Sequence, residues 1–259
     1  MLKHLFIPSE SKSDKNIVLL HGLGGDHRIW KHQIPSLQQK FNILTIDLPS
    51  HAENNKKLSS MTASIDAVSK EILKVIDYLK LEKCIFIGVS LGTVFIKHIQ
   101  MYYPKYVESS VLVGAIGNVN LFLKTSVKLF SKIGDKLPFR FVYHTFSRII
   151  MPLKRSEKSR KIFCKCAEEL NAKEFKQWMI ILTESLKMNL KYKAEEHLHT
   201  LYISGVFDVC FLKGIKKEVE STHSRLIEME QCGHVCNIDQ KESFNTILMN
   251  YLESRHCTI

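Results

Sequence analysis

Apolar positions along the chain follow two rhythms. Short, nearly unbroken runs that end in turn residues recur at Asn16–Gly22 (NIVLLHG), Phe41–Pro49 (FNILTIDLP), Lys83–Ser90 (KCIFIGVS) and Glu108–Ala115 (ESSVLVGA). They return at His199–Gly205 (HTLYISG) and His223–Glu230 (HSRLIEME). Runs of this length with turn residues at their ends are the pattern of buried strands. Between them lie segments of helical period. Met61–Leu81 carries Ile65, Val68, Ile72, Val75, Ile76 and Leu79 on one face, with Thr62 as the expected N-cap. Leu91–Pro104, Phe175–Leu190 and Lys241–Ser254 read as further helices. Strand, helix, strand in strict alternation implies parallel βαβ units with helices on both faces, a doubly wound α/β sheet. From Gly117 to about His197 the strand signal disappears and the pattern is helical, so a helical insert interrupts the sheet.

Composition bounds the picture without changing it. The chain has 259 residues, 45% hydrophobic and 24% charged, which is ordinary for a globular domain. The first apolar run stops after Ile7, too short for a signal-peptide core, and no run approaches a membrane span, so a cytoplasmic location is expected. Seven cysteines, an odd number, read as reduced thiols. The CGHVC stretch, Cys232–Cys236, has no second Cys/His pair beside it, so no metal is expected there. Thiol reagents at Cys210, Cys232 and Cys236 are nevertheless expected to affect activity, because those residues neighbour the candidate chemistry below.

Charge is unevenly spread. The formal net charge is +11, and residues 118–166 hold twelve Lys or Arg against only Asp135 and Glu157, a net +10. Within that segment Lys124, Lys128, Lys132 and Lys136 recur every fourth residue, a basic stripe on a helix that also carries Leu121, Phe122, Leu129, Phe130 and Ile133. The reading that needs least is a solvated face. The functional alternative is attraction of an anionic substrate or a membrane surface. No nucleic-acid partner is expected, because the basic residues accompany no reading motif.

The chemistry concentrates at Gly88-Val89-Ser90-Leu91-Gly92. A G-x-S-x-G stretch between a strand and a helix forms a sharp turn that exposes the serine hydroxyl, and glycines two residues either side avoid Cβ collisions. The helix that follows turns its free N–H groups and positive dipole end toward the same place. A serine needs a base to take its proton. His234 lies in a loop just past one late strand, and Asp208 lies just past the strand before it. The order Ser90, Asp208, His234 is the one this chemistry shows on a doubly wound sheet. His21, His98, His197, His199 and His223 fit less well by position, and Asp239, which follows the histidine, reads as a cap of the last helix. The glycine-rich stretch His21–Trp30 brings backbone close to a substrate carbonyl, making the Leu23 amide the candidate oxyanion donor beside that of Leu91.

Taken together, VLLHGLGGDHRIW, ILTIDLPSHAEN, FIGVSLGT, ISGVFD and CGHVCNID resemble the α/β-hydrolase superfamily, in the branch with an HG motif and a helical cap. The resemblance spans essentially the whole chain. It implies an α/β-hydrolase core at residues 1–116 and 198–259, with a cap, 117–197, inserted after the sixth strand. It implies Ser90 as nucleophile, His234 as base, Asp208 as orienting acid, the Leu23 and Leu91 amides as oxyanion hole, and no cofactor. Family members often carry PGHG where this chain has PSHA, Pro49–Ala52, and a histidine is common where Val89 stands. Serine at position 90 argues against epoxide hydrolase or haloalkane dehalogenase chemistry.

The expected function is hydrolysis of carboxylic esters with small or medium-chain apolar acyl groups, because the insert is apolar on one side. Two other roles exist on the scaffold. One is a triad-containing lyase or C–C bond enzyme of the menaquinone-pathway type, and the other is a small-molecule receptor or signalling module.

Overall fold

The computed structural model describes residues 1–52, 57–166, 170–189, 191–192, 198–222 and 224–256. The strands are β1 (His4–Ile7), β2 (Asn16–Leu20), β3 (Asn42–Ile46), β4 (Cys84–Val89), β5 (Val107–Val113), β6 (Thr200–Gly205) and β7 (Arg225–Met229). They form one sheet in the order β1-β3-β2-β4-β5-β6-β7. Only β1 runs antiparallel, pairing His4 with Ile46 at the β3 edge. Every other neighbouring pair is parallel. The strand order reverses between β2 and β4, which is where ligands bind in open sheets of this kind, beyond the carboxyl ends of the strands.

The unbroken apolar runs are explained by burial on both faces. On β2, Val18 and Leu20 face one core while Ile17 and Leu19 face the other. On β4, Phe86 points to the first side and Ile85 and Ile87 to the second. The first core is closed by α2 (Ile65–Tyr78) and α3 (Leu91–Tyr102), with Ile72, Ile76, Val94 and Phe95 packed inward. The second is closed by α1 (Ile34–Gln38) and the last helix, here α10 (Lys241–His256), through Leu37, Phe244, Leu248 and Leu252.

Helix α2 is shorter than its periodic stretch, and its cap is Ser64 rather than Thr62. The Ser64 hydroxyl accepts from the Ala67 amide at 3.2 Å, whereas Thr62 offers its carbonyl to the Ser64 amide. A hydroxyl satisfying an N3 donor is what defines the start.

Among the described residues four α-helices lie between β5 and β6: α4 (Leu121–Ile133), α5 (Phe139–Ile150), α6 (Glu157–Cys166) and α7 (Ala172–Met188). They follow the fifth strand of the sheet, not the sixth. A single short antiparallel strand, β1, precedes β2 here, so one strand fewer comes before the insert. Asn120 and Asn171 cap α4 and α7 through their side-chain oxygens. Phe175 holds the group together, with the rings of Phe130, Phe139, Tyr143 and Phe146 all within 6.3 Å of it. The expected insert boundary at 197, the end of the Phe175–Leu190 helix, and the candidates His197 and His223 lie outside the described residues. Helices α8 (Leu212–Glu220) and α9 (Cys236–Asp239) flank β7.

The insert is tied to the sheet by a buried polar cluster. The Ile116 carbonyl accepts from Lys97 Nζ at 3.1 Å and from Asn189 Nδ2 at 2.8 Å. Lys97 is fully buried and paired with Glu218 of α8. Its ammonium lies 5.0 Å from the Tyr192 ring centroid and 5.9 Å from that of Tyr202, while the Tyr202 hydroxyl donates to Glu218 at 2.6 Å. Among the described residues no helix is long and apolar enough to cross a membrane.

Candidate active site

Ser90 sits between β4 and α3 with φ +51° and ψ −114°, a backbone conformation that costs a non-glycine residue on the order of 1–3 kcal/mol. The surroundings impose it. Its amide donates to the Val113 carbonyl, and its carbonyl accepts from the Thr93 amide and hydroxyl. The two motif glycines are sterically required. A Cβ on Gly92 would fall 2.4 Å from the Leu20 carbonyl oxygen, and one on Gly88 would fall 2.6 Å from the Ile96 side chain. Leu91 is the first residue of α3, so its amide has no acceptor inside the helix.

The three side chains expected to act together are brought together. Ser90 Oγ lies 2.9 Å from His234 Nε2, and His234 Nδ1 lies 2.9 Å from Asp208 Oδ2. Asp208 and His234 are buried, so this chain is shielded from bulk water. With Nδ1–H donating to the carboxylate, Nε2 is left as the acceptor for the serine hydroxyl. The Phe211 ring stacks on the imidazole at 4.7 Å between centroids and fixes its plane. The other described candidates take no part in this chain of contacts. His21 uses both ring nitrogens, on the Gly22 carbonyl and the Leu48 amide. His98 lies in α3, and His199 offers its carbonyl to the Tyr251 hydroxyl. Asp239 does not cap α10 but accepts from the Gly233 amide at 3.0 Å and is held by the Ser159 hydroxyl of α6.

Several further residues support this arrangement. Gly114, at φ +52°, ends β5, and a Cβ there would fall 2.3 Å from the His234 carbonyl oxygen. At Gly205 a Cβ would meet the Cys232 carbonyl at 2.2 Å. These two glycines let the His234 loop close down on the sheet. His51, in the Pro49–Ala52 loop, accepts from the Gly24 amide at 2.9 Å and donates from Nδ1 to the Pro49 carbonyl. Tyr143 of α5 donates to the Leu23 carbonyl. The Leu23–Gly24 peptide is thus held at both ends. Burial, with the His21 ring beside it, holds the His51 imidazole down to about 3, so it stays a neutral acceptor. PSHA was legible as a loop, but the contact to Gly24 is 27 residues away in sequence and has no local signal.

Ser50 and Ala52 adopt φ +65° and +51°, the left-handed conformation that favours glycine. Ser50 compensates through its hydroxyl, which accepts from the Leu58 amide and bonds Glu174 of α7.

Two narrow cavities flank Ser90. One, of about 30 Å³, is lined by Leu23, Leu91, Ile116, Leu123, Val127 and Phe146, among other apolar side chains. The other, of about 50 Å³, runs past Gly22, Ile29, Ser159, Ile162 and His234. Neither is lined by a Lys, Arg, Asp or Glu. Each holds little more than one water's share of volume, far below a typical ligand pocket.

The cysteines near the site are poorly placed to react. Cys232 and Cys236 are buried, and the hydrogen bond with Cys232, together with burial, pushes the Cys236 thiol well up. Burial raises Cys210 to about 11, and its thiol donates to the Ile149 carbonyl. The thiolate is the reactive form, so the expected thiol sensitivity does not follow from this arrangement. Among the described residues no group of three or more His, Cys, Asp or Glu is disposed to hold a metal ion.

A seven-stranded, mostly parallel sheet with helices on both faces, and a serine on a strained strand-to-helix turn, define the α/β-hydrolase fold. The model of the Ndr family matches residues 6–254, and the chain belongs to that family. In structure it is similar to MenH from S. aureus, with a TM-score of 0.82 and 16% identity over 99% of this chain and 100% of that one. It is also similar to an esterase from Exiguobacterium antarcticum, with a TM-score of 0.79 and 19% identity over 97% and 95%. In sequence it is 31% identical over 101 residues to the dihydrolipoyllysine-residue acetyltransferase component of the acetoin cleaving system of Pseudomonas putida. That match covers 39% of this chain and 27% of the relative, so the two share about a quarter of the relative's length.

Proposed function

We propose that the protein is a serine hydrolase of carboxylic esters. The observation that carries this reading is the chain of two 2.9 Å contacts from Ser90 through His234 to Asp208, on a turn whose strain the surrounding backbone enforces. Ser90 Oγ attacks the acyl carbonyl carbon while His234 Nε2 takes its proton. Asp208 keeps Nδ1 protonated and stabilises the imidazolium. The carbonyl electrons move onto oxygen, where the Leu23 and Leu91 amides receive them. As the tetrahedral species collapses, His234 returns the proton to the leaving alcohol. A water, deprotonated by the same nitrogen, then releases the acid from Ser90.

The lining of the two cavities supports an uncharged, mainly apolar substrate, with acyl and alcohol parts on opposite sides of Ser90. Residues 117–197 act as the cap over that site, because Leu123, Val127 and Phe146 of the insert wall the acyl side. The volumes near Ser90 require the cap helices to shift when a substrate enters. The match to the esterase from Exiguobacterium antarcticum, at 19% identity, speaks for the shared fold. The match to MenH speaks for the shared fold alone.

The test is turnover of p-nitrophenyl esters from acetate to decanoate by wild type and Ser90→Ala. The reading predicts turnover with a chain-length optimum that Ser90→Ala abolishes. Absence of any Ser90-dependent turnover across the series would reject it in favour of lyase or receptor roles on the same scaffold.

A further inference from the structure

Helix α4 has two apolar sides, and only one belongs to the site. Leu123, Val127 and Phe130 point inward, and Leu123 and Val127 wall the cavity beside Ser90. On the opposite arc Leu121, Phe122 and Leu129 stand 75%, 65% and 52% exposed. Large apolar side chains so exposed along one arc of a helix form the kind of patch that marks an interaction surface. The same arc carries Lys128 and Lys132, with Lys124 and Lys136 beside it. Beyond the α4–α5 turn the surface continues with Leu137, Arg140 and Phe141, the last 63% exposed. The nearest acid, Asp135, is already paired with Lys176 of α7. Among the described residues no carboxylate pairs with Lys124, Lys128, Lys132 or Lys136.

From this we propose that the outer face of α4, with the start of α5, binds an anionic lipid bilayer. The charge complementarity selects the occupant. A second copy of this chain would present the same lysines and repel, since residues 118–166 carry a net +10. A bilayer with acidic headgroups accepts both parts of the surface. The Lys and Arg side chains reach the headgroups, while Leu121, Phe122, Leu129 and Phe141 enter the boundary region beneath them. The binding surface and the cavity wall are two sides of one helix, so docking also brings the site to where apolar esters accumulate. That last step rests on the hydrolase reading, but the binding itself does not.

The experiment sediments the full chain with phosphatidylcholine vesicles that contain or lack phosphatidylserine, at low and at high salt. Two variants accompany wild type: Lys128→Glu/Lys132→Glu, and Phe122→Ser/Leu129→Ser. Wild type is expected to bind the anionic vesicles and to be released by salt, because charges at a surface are screened. Charge reversal at two lysines should lower partitioning by about 100-fold or more. The Ser variant should bind weakly at any salt, and both variants should keep wild-type turnover of a soluble ester. Ser90→Ala should bind like wild type, which separates failure of this proposal from failure of the hydrolase reading. Wild type that ignores phosphatidylserine, or variants that bind as wild type does, would overturn it. So would a concentration-dependent dimer, abolished by both variants, in a protein that binds no vesicles.

Discussion

Replacing Lys97 by Met tests whether the buried pair under the insert is a matter of charge or of shape. Lys97 is fully buried, and Glu218 is 7% exposed. Burial pushes the lysine below its ordinary range, and Glu218 offsets part of that shift. Met fills the space of the lysine stem but removes the cation. Glu218 would keep the Tyr202 hydroxyl as a donor on Oε1, while Oε2 has no partner among the described residues. Breaking a buried pair by removing one partner costs about 3–5 kcal/mol, because the other charge stays desolvated. The Ile116 carbonyl also loses one of its two donors but keeps Asn189. At about 2–4 °C per kcal/mol for a chain of this size, Tm should fall by roughly 10 °C. Lys97→Met combined with Glu218→Gln removes the stranded charge and should recover most of the loss, a coupling of about 2–4 kcal/mol. Urea unfolding followed by the fluorescence of Trp30 and Trp178 measures all three proteins. A single variant within about 1 kcal/mol of wild type, or a double variant no better than the single, would refute the charge argument.

Other consequences follow from the same contacts. His51→Ala removes the acceptor for the Gly24 amide, so kcat on a p-nitrophenyl ester should fall about 10- to 100-fold with little change in KM. Because His51 is held at about 3 in the fold, the unfolded state binds more protons below its ordinary value near 6.5. Wild-type stability should therefore be lost as pH falls from about 6.5 toward 3, by roughly 1 kcal/mol per unit, with a flatter acid limb in His51→Ala unfolding curves. Ala52→Gly relieves a left-handed residue and should stabilise the chain by roughly 0.5–1 kcal/mol in urea unfolding. Leu123→Ala should move the acyl-length optimum to longer chains in the ester series. Iodoacetamide should leave turnover unchanged, given the burial of Cys232 and Cys236 and the raised Cys210 thiol.

Legibility in the sequence tracked how local each cause is. The central parallel strands were readable because burial on both faces makes them apolar throughout; Ser90 and Asp208 follow such strands, and His234 follows the half-exposed edge strand β7. Strand β1 was not, because four residues at a sheet edge with Leu5 exposed carry little pattern, and its partner β3 lies far along the chain. Helix α8 was hidden by Gly214 and its charged residues. The glycine is there because a Cβ would fall 1.8 Å from the Asn118 carbonyl oxygen, a contact that only the folded chain defines. The start of α7 depends on Asn171 as cap, a polar residue outside the apolar stretch that marked the helix. His51 stands in the PSHA stretch and Gly205 in ISGVFD, but they and Gly114 support the site through contacts to distant backbone that only the folded chain defines.

The most direct test of the central claim is the intact mass of the protein after exposure to a fluorophosphonate, with peptide mapping of the modified residue. The account predicts one adduct, on Ser90, that forms in wild type, slows greatly in His234→Ala and is absent in Ser90→Ala. A wild-type protein that is folded yet never labelled, or labelled as fast without His234, would contradict it.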